Sequence, residues 1–168
     1  MPILTVLMGV PGSGKTTWVA ANTRNQVVCG TDRLRTESFT GASVVAYIES
    51  LRTRARRALT AGQDVVVDGC NTRRNERTRW RELARDHGAA PQLVVVHASL
   101  TTVLAVQRDR AQPVPADRVR TYHRDFTRSL SAIDGEGWAR IVHVQRDGAA
   151  AAGVVPEPSR RWTTTDEP

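Results

Sequence analysis

Short apolar runs alternate along this chain with longer segments in which apolar residues recur every three or four positions. Residues 3–8, 64–67 and 92–97 read as buried strands, continuous and rich in valine, with polar residues or glycine at their ends. Residues 26–29 and 141–144 read as shorter strands. Residues 15–23 predict a helix, and residues 43–61 predict a longer one. In the longer one Val44, Ile48, Leu51, Ala55 and Leu59 keep helical spacing, while Arg52, Arg54, Arg56 and Arg57 fill the other faces. The next helix spans 74–87, with Trp80, Leu83, Ala84 and His87 on one side and Gly88 as its stop. A helix over 100–110 breaks at Gln112-Pro113-Val114-Pro115. The last, 115–133, carries the stripe Val119, Tyr122, Phe126, Leu130 and Ile133. Strands alternating with helices predict a three-layer α/β fold around a five-stranded parallel sheet.

Size and composition narrow this further. A chain of 168 residues with 40% hydrophobic and 24% charged residues fits one globular domain. From Gly148 the composition turns to Ala, Gly, Pro and Thr, which predicts a domain over 1–147 and a disordered tail over 148–168. No apolar run approaches the ~20 residues of a membrane helix, and no basic segment precedes the first apolar run. Cys29 and Cys70 make neither a disulfide framework nor a zinc set, and the histidines at 87, 97, 123 and 143 lack metal spacing. The expectation is a cytoplasmic protein with no membrane and no obligatory protein partner.

The formal charge is +7, and of the 24 basic residues only Lys15 is lysine. A compact ammonium is retained at one position in a chain that otherwise uses arginine. The excess charge favours anionic partners, nucleic acid first and nucleotides second.

Lys15 lies in Gly9-Val-Pro11-Gly12-Ser13-Gly14-Lys15-Thr16-Thr17, which fits GxxxxGK[ST]. The motif follows a buried strand and opens a helix, the context it requires. Its glycines let backbone amides turn inward around phosphate oxygens, and the helix N-terminus adds partial positive charge. Lys15 is placed to bridge β- and γ-phosphates, and the Thr16 hydroxyl to meet Mg²⁺. The motif predicts nucleoside triphosphate binding, ATP or another, without fixing the base or the reaction.

Further groups stand after the other strands. Asp32 and Arg35 sit side by side on one helical turn. The carboxylate could accept the proton of an attacking hydroxyl, and the guanidinium could hold an anionic group on the acceptor. Thr31 and Asp32 are equally competent as helix caps. Asp68 closes its strand as a magnesium-orienting carboxylate would, or could fix Arg35. Asn71 could touch the acceptor or only shape a turn. Arg73, Arg74 and Arg77 follow, at the strand ends where substrates bind in such folds. Arg108 and Arg110, before the Pro-Val-Pro break, have the form of a closing lid that stabilises charge on a transferring phosphate.

Taken together, Gly9–Trp18, the Asp32-x-x-Arg35 pair, the segment Asp68–Arg77 and Arg108–Arg110 with Val114-Pro115 resemble the kinase domain of bacteriophage-type polynucleotide 5′-hydroxyl kinases, within the wider group of small P-loop kinases. The likeness covers about residues 3–145. It implies a P-loop kinase fold with a short helical lid, a general base at Asp32, an acceptor-phosphate contact at Arg35 and a lid arginine near Arg110. The substrate it implies is a nucleic-acid end. The lid segment is shorter here than is usual in that family, which leaves the choice between Arg108 and Arg110 open. Small-molecule kinases of this size share the loop and the Asp-x-x-Arg pair, and a nucleotide-binding module without phosphotransfer would need the loop alone. The Arg-rich surface and the 68–77 segment favour nucleic acid.

Overall fold

The structure, a computed structural model, describes residues 1–31 and 42–146. Asp32, Arg35 and the 148–168 segment lie outside the described residues. Five strands, β1 (Ile3–Met8), β2 (Val27–Gly30), β3 (Val65–Asp68), β4 (Ala90–His97) and β5 (Arg140–Gln145), form one sheet in the order β2-β3-β1-β4-β5. Every pairing is parallel. The helices are α1 (Lys15–Asn22), α2 (Ala42–Thr60), α3 (Arg74–Asp86), α4 (Leu100–Arg108) and α5 (Ala116–Leu130), followed by a short 3-10 helix, Ile133–Glu136.

Strand composition follows position in the sheet. The central strands β1, β3 and β4 carry the continuous apolar runs because both of their faces are covered. β5, at one edge, mixes exposed and half-buried residues and has no fully buried one. Leu4, Val6, Met8, Leu93 and Val95 pack on one face against Leu51 and Ala55 of α2, Trp80 and Leu83 of α3, and Val119 and Phe126 of α5. Leu7, Val66, Val94 and Val96 pack on the other face against Trp18 and Val19 of α1. The fold is thus a three-layer α/β P-loop kinase fold. β2 and β3 lie to one side of β1 and β4 and β5 to the other, so the order reverses beside β1, and the crevice at such a reversal is where ligands bind in open α/β sheets. Among the described residues no helix is long and apolar enough to cross a membrane.

One helix ends earlier than its stripe predicts. α5 stops at Leu130, and Ile133 reaches the core from the 3-10 turn. The Ser131 hydroxyl donates to the Arg128 carbonyl, competing for a helical acceptor, and Gly137 at φ 80 then reverses the chain. The reversal brings Glu136 onto Arg77.

Arg77 is thereby corrected as a substrate contact. It is fully buried. Its guanidinium donates from Nε and Nη2 to both Glu136 carboxylate oxygens, and from Nη1 to the Asn71 carbonyl and the Ser129 hydroxyl. Burial pushes the Glu136 carboxyl up, but hydrogen bonds from Arg77 and Trp138 and the charges of Arg77 and Arg81 together outweigh it and hold the group below its ordinary value. Arg77 ties α3 to the segment after α5 and has no face left for a ligand.

Candidate active site

A cavity of about 480 Å³ opens at the carboxyl ends of the strands. The loop after β1 forms its floor. Gly9 lies under the loop, where its N–H donates to the Cys70 carbonyl at 2.9 Å. A Cβ on Gly9 would stand 2.6 Å from Ser13 Oγ and 2.9 Å from the Val96 carbonyl oxygen, so only glycine fits. Gly12 has φ +93, which other residues rarely adopt. Pro11, Gly12, Gly14, Lys15, Thr16 and Thr17 line the cavity, whereas Ser13 is fully buried and supports the loop from beneath.

Lys15 Nζ donates to the carbonyls of Gly9 and Val10 at 3.1 and 3.0 Å. An ammonium has three donors, so the charge is anchored with one donor to spare for a phosphate oxygen. The Thr16 hydroxyl donates to Asp68 Oδ2 at 2.8 Å. That pair couples the start of α1 to the end of β3 and presents hard oxygen donors at the cavity. Such a set suits Mg²⁺, which takes one or two protein oxygens and completes its shell with water and substrate phosphates.

The other walls come from distant segments. Arg110 and Val114, between α4 and α5, line the cavity, as do Thr31, Val44, Cys70, Arg118 and Tyr122. Arg108 is exposed at the end of α4 and is not part of the lining. Asn71 is buried at φ 42, donating to the Leu7 carbonyl at 2.7 Å, and shapes the turn under the site. Arg74 is exposed at the start of α3, and the exposed Arg73 is paired with Asp125 of α5 at 3.1 Å. That pairing raises the Arg73 pKa, through the hydrogen bond first and the charge second. Neither arginine reaches the cavity lining.

Four residues at this site escaped the sequence reading. Gln107 is buried and spans two walls: Nε2 donates to the Pro11 carbonyl and Oε1 accepts from the Val114 N–H, both at 3.0 Å. Arg146 follows β5, hydrogen-bonds the Gly12 carbonyl through its guanidinium and lines the cavity. Its place just beyond a strand's carboxyl end was the signal available. Arg118 and Tyr122 were hidden differently. Tyr122 belongs to the apolar stripe of α5 and also faces the cavity, and Arg118 is one arginine among many.

A family model described as AAA domain matches residues 4–131. The chain belongs to this AAA-domain family. No curated protein matches it. Among solved structures, a chain of the Pnkp1/Rnl/Hen1 RNA repair complex aligns with TM-score 0.71 and 16% identity, over 79% of this chain and 46% of that one. This AAA-domain chain therefore spans under half of that relative. Kti12 from Chaetomium thermophilum, in complex with ADP-AlF3, aligns with TM-score 0.66 and 16% identity over 88% and 92% of the two chains. A gluconokinase from Sinorhizobium meliloti aligns with TM-score 0.54 and 19% identity over 94% and 85%. At these identities the likeness is one of fold.

Proposed function

We propose that this AAA-domain protein is a phosphotransferase that moves the γ-phosphate of ATP to the 5′-hydroxyl of a polynucleotide. The observation that carries the reading is the charge of the cavity. Its described lining holds four cations, Lys15, Arg110, Arg118 and Arg146, against one carboxylate, Asp68. The phosphate loop uses Lys15 and its own amides and takes a hydrogen bond from Arg146, which leaves the N–H donors of the exposed Arg118 guanidinium, on α5, for a second anion. A neutral sugar acceptor would have no use for them.

The roles follow. The loop amides and Lys15 hold the β- and γ-phosphates. Thr16 and Asp68 would hold Mg²⁺, which when bound neutralises charge on those phosphates. Asp32, the base implied by the family resemblance, takes the proton from the attacking hydroxyl. The hydroxyl oxygen bonds to the γ-phosphorus, the bond to the bridging β–γ oxygen breaks, and ADP leaves. Arg110 stabilises the charge on the transferring group, and Arg35 holds a phosphate of the acceptor.

Radiolabelled ATP offered with 5′-hydroxyl oligonucleotides, nucleosides and sugars tests the assignment. Oligonucleotides should be labelled fastest, with acceptor KM rising steeply between low and moderate salt as phosphate contacts are screened. Faster labelling of a free nucleoside or sugar, or a salt slope near zero, would reassign the protein to small-molecule phosphorylation. ATP binding without transfer to any acceptor would make it a nucleotide-binding module.

A further inference from the structure

Arg118 and Tyr122 are four residues apart on α5, so their side chains stand one above the other on one helix face. Both line the cavity, with Val44, Cys70 and Val114 around them. They stand on the helix that follows the Arg110–Val114 segment. The Tyr122 ring packs against the main core on one side, and its hydroxyl has no hydrogen-bond partner among the described residues. Burial and the nearby Cys70 raise the phenol's pKa, while the Arg118 guanidinium pulls against them, so the heads of these side chains lie in one another's field. Arg118 is exposed and makes no ion pair with a described residue.

A rigid aromatic ring beside a guanidinium, with Val44, Cys70 and Val114 lining the same cavity, is complementary to a flat ring joined to an anion. A sugar offers neither a flat ring nor a charge, and the base of the phosphate donor, which does, is told apart from the acceptor by KM for ATP. Building on the phosphotransfer reading above, we propose that Arg118 and Tyr122 recognise the acceptor strand. Tyr122 stacks on its terminal base, and Arg118 holds the phosphate that joins the terminal nucleotide to the next.

The test pairs changes in the substrate with changes in the protein. Three short 5′-hydroxyl oligonucleotides are compared: an unmodified one, one with an abasic first nucleotide, and one whose first internucleotide phosphate is a neutral methylphosphonate. The proteins are wild type, Tyr122→Leu, Tyr122→Phe and Arg118→Gln. In wild type the abasic change should lower kcat/KM by about 10-fold or more, the scale of base–aromatic stacking. Tyr122→Leu should remove that penalty, and Tyr122→Phe, which keeps the ring, should restore it. The methylphosphonate should lower wild-type kcat/KM by about 10-fold, as expected for a lost charge-assisted contact, and should cost Arg118→Gln nothing further. KM for ATP should be unchanged throughout.

An abasic penalty as large in Tyr122→Leu as in wild type, a methylphosphonate penalty as large in Arg118→Gln, or losses that track KM for ATP would overturn the inference while leaving polynucleotide phosphorylation standing. Wild-type protein that labels no oligonucleotide would overturn both. Should Tyr122→Leu fail to fold, the exposed Arg118 still decides the case, because its substitution removes no core packing.

Discussion

The loop after β1 and the wall presented by α5 face the same cavity, yet they are held in place by different means. The loop is fixed from below and from the side by hydrogen bonds: Lys15 on its own carbonyls, Thr16 on Asp68, and Gln107 on Pro11. The α5 wall reaches the cavity with an exposed arginine and a half-buried tyrosine, and its fixed points, Asp125 and Ser129, lie further along the helix. Preorganised donors suit a ligand part that is the same in every reaction, a triphosphate. Adaptable side chains suit the part that differs between kinases of one fold. A chain of an RNA repair complex and a gluconokinase both align with this fold.

The largest effect expected is on the floor. Lys15→Met removes the only ammonium of the loop and should reduce phosphate transfer to background, with circular dichroism and Tm showing a folded protein. Near-normal turnover would break the assignment of the loop as the phosphate site. Asp32→Asn should cut turnover by about 10²–10⁴-fold with ATP affinity little changed if Asp32 is the base. Asparagine caps helices as well as aspartate, so a variant of full activity would reduce Asp32 to a cap.

These two residues also show why the halves differ in how readily they are read from sequence. The floor is local: nine consecutive residues contain its glycines, lysine and hydroxyls, and a buried strand on one side with a helix on the other sets their geometry. Asp68 was legible because a strand's carboxyl end faces the crevice. The α5 wall is assembled from residues 44, 70, 114, 118 and 122, which only tertiary packing brings together. Arg77 shows the reverse error. Its place after Asp68 suggests a substrate contact, but the carboxylate that buries it arrives from residue 136, and nothing local to Arg77 announces it.

That buried pair supports the α5 wall, because it joins α3 to the turn that ends α5. Arg77→Met should cost about 3–5 kcal/mol of stability, since it leaves the Glu136 carboxylate buried without its partner. Urea unfolding measures this, and adding Glu136→Gln should recover part of the loss. No loss in the single variant would mean that the two helices are held by apolar packing alone.

A smaller effect is expected where the halves meet. Gln107→Leu keeps the volume but strands the Pro11 carbonyl and the Val114 N–H. A cost of about 1–3 kcal/mol in stability is expected for such buried groups. Because Gln107 links the loop to the segment carrying Arg110, kcat should fall for every acceptor alike. A loss confined to one acceptor would place Gln107 with the variable wall instead.

The smallest effect concerns what lies beneath that wall. His97 and His143 hydrogen-bond ring to ring at 2.8 Å on neighbouring strands, and Phe126 of α5 meets the His97 ring edge-on. Burial, and then repulsion from His143, lower the His97 pKa from its ordinary 6.5. The folded protein therefore refuses a proton that the unfolded chain accepts, and stability is lost as pH falls below about 6.5 toward the folded value. Glu136 acts in the same direction but from the ordinary carboxylate value of 4.5 downward, so the two windows separate. Between pH 7.5 and 5.5 the loss in Tm attributable to His97 should stay below about 4 °C, the shift that 1 kcal/mol produces in a domain of this size. His97→Gln keeps a hydrogen-bonding side chain but cannot take up the proton, so its Tm should change less over that interval than wild type. An equally steep decline in the variant would clear His97, and with it the packing under Phe126, of any part in the protein's acid sensitivity.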